Sequence, residues 1–167
     1  MLAVPDAEPI VTVARGSQAA GHAHVTVLYP FAPRWRVNQA FIAELRGVVA
    51  HQPAFRVTLS NLGTFEGAEK VTYLVPEPAD PLIGLTTAIT QRWPRWPPYR
   101  GRFEDVVPHL SILDGRAPSE DLKAQLAPLL PVRVVARELL LVMPEQHGWE
   151  TLAHCPLGEL NQALEGS

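Results

Sequence analysis

The sequence predicts an α+β domain with two lobes, and three observations carry that expectation. Helical and alternating segments succeed one another, several alternating segments lie close enough to form hairpins, and proline or glycine marks most joints. Hairpins between neighbours argue against a doubly wound parallel sheet, whose strands need helical crossovers. A chain of 167 residues, 47% of them hydrophobic, is one domain that buries enough surface to stand without disulfides or a structural metal. No low-complexity tract or linker divides residues 1–167, so a single domain is expected.

The first candidate helix runs from Pro5 to Gln18, with Pro9 against it. Asn38 reads as an N-cap, and Phe41, Ile42, Leu45, Val48 and Val49 follow at helical spacing until the Gln52-Pro53 break. Phe55, Val57 and Leu59 then alternate with Arg56, Thr58 and Ser60, and Val71, Tyr73 and Val75 alternate with Thr72 and Leu74. The link containing Gly67 makes these two strands a hairpin. A third helix takes Asp80 as cap and Pro81 as its first residue, with Leu82, Leu85, Ile89 and Trp93 on one stripe before Pro94. A fourth follows Ser119, placing Leu122 and Leu126 inward and Pro128 near its end. Glu138 to Met143 reads as a buried strand, Pro144 to Gly148 as a turn, and Trp149 to His154 as the returning strand.

Composition narrows the function. A formal charge of -3 excludes a sequence-blind nucleic-acid coat, although a local basic patch remains open. Arginine outnumbers lysine 12 to 2 and there are 17 prolines, a bias that genome base composition alone produces and that carries little functional weight. Cys155 is the sole cysteine, so there is no intrachain disulfide, no CxxC pair and no cysteine-rich zinc site. The opening MLAVPDAEPIV lacks a basic leader and no apolar run has membrane-spanning length, so a soluble, cytoplasmic protein is expected.

Two tetrads stand out: His24-Val25-Thr26-Val27 and His109-Leu110-Ser111-Ile112, each a histidine, an apolar residue, a hydroxyl residue and an apolar residue. In a strand, residues i and i+2 share a face, so each imidazole lies beside its hydroxyl, with Cα atoms roughly 6–7 Å apart, while the apolar residues enter the core. An imidazole gives or takes a proton near neutral pH, and a hydroxyl donates to a phosphate oxygen without charge cost. Two such strands face to face would hold a phosphate between them. The histidines are 85 residues apart, about half the chain, and each tetrad precedes a capped helix, which suggests two related lobes with a cleft between. One such tetrad alone is more often a structural histidine; two together favour function. His22, His51, His147 and His154 lack the pattern.

With their flanks HVTVLYPF and FEDVVPHLSIL, the tetrads resemble the two signatures of the 2H phosphoesterase superfamily, which includes 2′-5′ RNA ligases and 2′,3′-cyclic nucleotide phosphodiesterases. The flanks most resemble its bacterial 2′-5′ RNA ligase branch, and the similarity extends from the segment before PDAEPI to TLAHCPL. It implies a bilobal fold whose central antiparallel strands bring both tetrads into one cleft, with no metal or other cofactor required. His24 and His109 match the catalytic histidines, and Thr26 and Ser111 match the phosphate-contacting hydroxyls. Where many members carry a basic residue after the second tetrad, this chain has Leu113-Asp114. The implied substrates are RNA ends or small nucleotides bearing a cyclic or 2′-5′ phosphodiester, hydrolysed or, in reverse, ligated, by a protein expected to be a monomer without membrane contact.

The run QRWPRWPPYRGRF, residues 91 to 103, interleaves four arginines with aromatics and leads toward His109. Two readings stay open: a surface for phosphates and a stacked base, with Tyr99, Arg100 and Arg102 as its best members, or a proline-stiffened connector with core tryptophans and solvated arginines. Trp93 belongs to the second reading because it continues a helix stripe. Tyr29 is placed to line the cleft mouth. His22 and His24 make an HxH pair found in some zinc sites, a weaker reading because the double tetrad does not need His22. Cys155, before Pro156, lacks a framework for catalysis. The competing class is a non-catalytic binder of RNA ends or nucleotides, against which stands the retention of two titratable groups beside two hydroxyls.

Overall fold

The computed structural model describes residues 1–16, 22–66, 70–102, 105–145 and 148–160. Its strands are β1 (Leu2–Ala3), β2 (His24–Val25), β3 (Phe55–Phe65), β4 (Val71–Glu77), β5 (Leu110–Asp114), β6 (Val132–Ala136), β7 (Glu138–Glu145) and β8 (Gly148–Pro156). Its α-helices are α1 (Glu8–Arg15), α2 (Gln39–Ala50), α3 (Asp80–Arg92) and α4 (Glu120–Leu126). The expected mixture of helices with antiparallel strands is what the chain adopts.

Four strands form one sheet in the order β5-β4-β3-β6, all neighbours antiparallel. The others make two antiparallel pairs, β1 with β2 and β7 with β8. Met1 and Leu140 exchange two backbone hydrogen bonds of 2.8 Å, which set β1 against β7. Helix α2 packs on β8 and against α3, while α1 packs on β5 and against α4. Strand β2 lies against β5, so the β1–β2 pair, which β1 joins to β7, meets the four-stranded sheet where the two tetrads fall. A single cluster of buried apolar side chains runs through both arrays.

Local chemistry explains most boundaries. Asn38 Oδ1 accepts the Phe41 N–H at 3.0 Å and Ser119 Oγ accepts that of Leu122 at 3.2 Å, so both expected caps form. Pro9 sits within the first turn of α1, where its missing N–H costs nothing, and the helix therefore tolerates it. Asp80 is inside α3 rather than its cap: Ala79 holds the cap position without a side-chain bond, and the Asp80 carboxylate instead faces the positive helix end from the first turn. Strand β3 runs five residues past the expected Ser60, to Phe65, and the Gly67 link lies outside the described residues, as does Gln18. Strand β6, absent from the sequence reading, buries Val132, Val134 and Ala136 and exposes Arg133 and Val135. The expected buried strand ending at Met143 is β7, which instead continues to Glu145, with Leu140 to Met143 only half-buried.

Candidate active site

The tetrads sit at the junction of the two arrays, though neither lies wholly within a strand. His24 and Val25 form β2 and Thr26 follows it, while His109 immediately precedes β5. Both histidines and both hydroxyl residues are half-buried, and Val25, Val27, Leu110 and Ile112 are buried, as alternation requires. The two imidazoles are held alike. His24 Nδ1 is 2.6 Å from the carbonyl oxygen of His22, and His109 Nδ1 is 2.7 Å from that of Val107. A carbonyl only accepts, so each Nδ1 carries the hydrogen and each Nε2 is left to exchange a proton with a ligand.

Helical side chains satisfy the backbone of both tetrads. The buried Thr86 hydroxyl of α3 donates to the Val27 carbonyl at 2.7 Å. On the other side, Thr72 pairs with Leu113 and Tyr73 with Ser111, leaving Ile112 as a bulge in β5. Arg15 of α1 closes that gap, donating from Nε to the Ile112 carbonyl and from a terminal nitrogen to the Ser111 carbonyl, each at 3.0 Å. The same terminal nitrogen lies 3.5 Å from an Asp114 carboxylate oxygen. Asp114 thus holds the guanidinium beside the second tetrad. Sequence reading missed Arg15, because nothing local ties residue 15 to residues 111–114. Replacing it by methionine should cost about 2–3 kcal/mol of stability, by stranding two half-buried carbonyls, and should move the acid limb of any pH–rate profile upward. Thermal melts and a pH series on R15M check both effects.

Aromatic rings fix the imidazole planes. The His24 ring meets Trp149 of β8 edge-on at 5.9 Å between centroids, and His109 meets Phe65 at 4.9 Å and Tyr73 at 5.4 Å. Phe65 and Tyr73 stack at 4.2 Å. Tyr73 can take this position because its cross-strand partner is Gly63: a Cβ there would lie 2.5 Å from the Tyr73 ring. Gly63→Ala should therefore swing the ring off His109, leaving the melting temperature little changed while kcat falls several-fold and the His109 limb of the pH profile moves. An unchanged profile would remove Tyr73 from the positioning of His109.

Burial pulls the pKa of both histidines below the usual imidazole value, opposed in each case by the backbone bond to Nδ1. His24 is lowered further by positive charge at the amino terminus, on Arg15 and on His109. The packing of β2 against β5 brings the two tetrads to one junction.

A family model described as the 2′-5′ RNA ligase superfamily matches residues 7–148, a span that contains both tetrads. The chain belongs to the 2′-5′ RNA ligase superfamily, the 2H phosphoesterases. Solved structures agree on the fold. E. coli LigT complexed with NADP+ is similar at 18% identity and a TM-score of 0.53, over 82% of this chain and 77% of that one. A structure described as a phosphoesterase gives 15% identity and a TM-score of 0.61 over 95% of both chains. The protein TT0787 of Thermus thermophilus gives 19% and 0.56, over 90% of this chain and 89% of that one. No curated protein sequence matches significantly.

The remaining expected residues of this 2H phosphoesterase lie at various distances from the histidines. Tyr29 is 53% exposed and, with His24 and Thr26, borders a cavity. The Tyr99 N–H donates to the Tyr29 carbonyl at 2.8 Å, which ties residues 98–101 to the cavity mouth, and burial raises the Tyr99 hydroxyl pKa. Tyr99 and Arg100 both take left-handed backbone angles, φ 49° and 58°, which are costly for residues with a side chain. Arg100 and Arg102 are exposed and do not border the cavity, and Phe103 lies outside the described residues. Upstream, Trp93 is buried as expected, and it packs with Phe31 and Phe41, which Trp96 also meets. Arg92 pairs with Glu44 and Arg95 lies 5.8 Å over the Trp96 ring. That half of the segment follows the connector reading.

The His22 side chain is 85% exposed and lies 3.3 Å from a Glu8 carboxylate oxygen. Among the described residues, no three or more of His, Cys, Asp and Glu gather as metal ligands. Cys155 is buried, and burial raises its thiol pKa, so it carries no reactive thiolate at neutral pH. No helix among the described residues is long and apolar enough to cross a membrane.

Proposed function

We propose that this superfamily member hydrolyses 2′,3′-cyclic phosphate or 2′-5′ phosphodiester bonds of RNA ends or nucleotides, with His24 and His109 as acid and base, and joins such ends in reverse. The observation that carries the proposal is the matched pair of half-buried imidazoles, each fixed through Nδ1, one in β2 and one immediately before β5, strands that pack against each other. One Nε2 takes a proton from water as its oxygen bonds to phosphorus. The other, protonated, gives its proton to the ribose oxygen as the old P–O bond breaks, so a phosphomonoester leaves and the pair ends with its protons exchanged. Thr26 and Ser111 donate to the non-bridging oxygens as charge builds there. Tyr29 and Tyr99 line the approach, and Arg100 and Arg102 meet the phosphates of longer substrates. No step needs a metal, so activity should survive EDTA.

The reaction needs one neutral and one protonated imidazole. Both pKa values are lowered, so the singly protonated pair is most populated below the ordinary imidazole value of about 6.5. kcat/KM should therefore peak on the acid side of that value and decline through neutrality. A bound phosphodiester anion raises both pKa values, so the kcat profile should lie at higher pH than that of kcat/KM. A panel of 2′,3′-cyclic nucleotides, 2′-5′-linked dinucleotides and tRNA halves, with and without EDTA, tests the activity. Affinity without turnover across that panel would favour a nucleotide-binding protein instead.

A further inference from the structure

Beside His24 the protein holds a cavity of about 290 Å³ that the proton transfers do not require. Thr26, Tyr29 and Trp149 border it, and it reaches inward to Leu45 and Val49 of α2. His109 does not border it, so the space belongs to one side of the site only. Among the described residues, its lining includes no Lys, Arg, Asp or Glu; Met1 also borders it, and its amino group donates to the Leu140 carbonyl at 2.8 Å and is pushed by burial down to a pKa of about 6.

Strand β7 supplies a second, independent observation. It is apolar at every position from Leu139 to Met143, a pattern that suits a strand covered on both faces. Yet only Leu139 is fully buried, and Leu140 to Met143 border the cavity half-covered. Leu141 packs in part on the core, but half-covered apolar side chains lining a cavity beside a reactive group are the mark of a ligand's apolar part. The volume lies near the lower end of the roughly 300–1,000 Å³ usual for small-molecule sites, which suits a nucleobase better than a polymer.

We infer that this cavity receives an uncharged, nucleobase-sized arm of the substrate, so that the ester binds with its base on the His24 side. The inference rests on the phosphodiesterase reading for its turnover arm and on binding alone for its other arm. Recognition of this kind comes from apolar burial, so the KM of a cyclic mononucleotide should change little with ionic strength. Longer substrates would add the salt-dependent contribution of Arg100 and Arg102.

The test compares wild type with Val142→Trp and Met143→Trp, which fill the space from β7. Three probes are used: adenosine by calorimetry, and 2′,3′-cyclic AMP and ethylene glycol cyclic phosphate by turnover. Removing a base-sized apolar contact is expected to weaken adenosine and raise the KM of the cyclic nucleotide by at least about tenfold, while the baseless ester stays within about twofold. Failure of wild type to bind adenosine, or equal losses for both esters, would overturn the inference. Turnover of neither ester would defeat the phosphodiesterase reading instead, and adenosine binding lost in the filled variants would still uphold the cavity. If neither variant folds, the wild-type preference for the base-bearing ester over the baseless one decides.

Discussion

Alanine at either His24 or His109 is expected to lower kcat on a 2′,3′-cyclic nucleotide by about 10²–10⁴-fold, with the fold intact. Each imidazole is half-buried and fixed by one bond to the backbone carbonyl two residues before it, so its loss leaves no stranded charge and only a small gap. The double variant should fall by less than the product of the single losses, because acid and base act on one transition state. The two variants should differ in which limb of the pH profile disappears. Single-turnover rates against pH on H24A, H109A and the double variant provide the check. Near wild-type turnover in both single variants would refute the paired assignment.

Removing the two hydroxyls is the second large effect. Thr26→Val keeps the volume of the side chain, and Ser111→Ala leaves untouched the Ser111 carbonyl that Arg15 holds, so neither change should disturb the backbone. Each should lower kcat by on the order of 10²-fold, as expected when one donor to developing phosphoryl charge is lost, with little change in KM. A rise in KM alone, at constant kcat, would mean that the hydroxyls hold the ground state and not the transition state. Steady-state kinetics on both variants separate these outcomes.

How much of this was legible in the sequence depended on range. The caps Asn38 and Ser119, the helix stripes, the alternation in β3 and β4 and the returning strand β8 arise from neighbouring residues, and the structure has them. The tetrads were legible because each carries its chemistry within four residues. Arg15 was not, since its role comes from a bulge at Ile112 almost a hundred residues away. Gly63 and Tyr73 were not, because only the hairpin register sets the glycine under the ring. Strand β6 escaped because Val135, an apolar residue on the exposed face, blurs the alternation of Val132 and Val134. Strand β7 reads as buried because an apolar run looks the same whether its second face meets protein or an open cavity.

Both rings must flank one phosphorus atom for the proposed chemistry to run. Titrating ¹⁵N-histidine-labelled protein with a nucleoside 3′-phosphate and following the imidazole nitrogens by NMR addresses this directly. Both Nε2 signals, assigned by H24A and H109A, should move together, saturate at one equivalent, and report raised pKa values for both rings. A ligand that moves only one of them, or that moves the two at separate saturation points, would contradict the shared site.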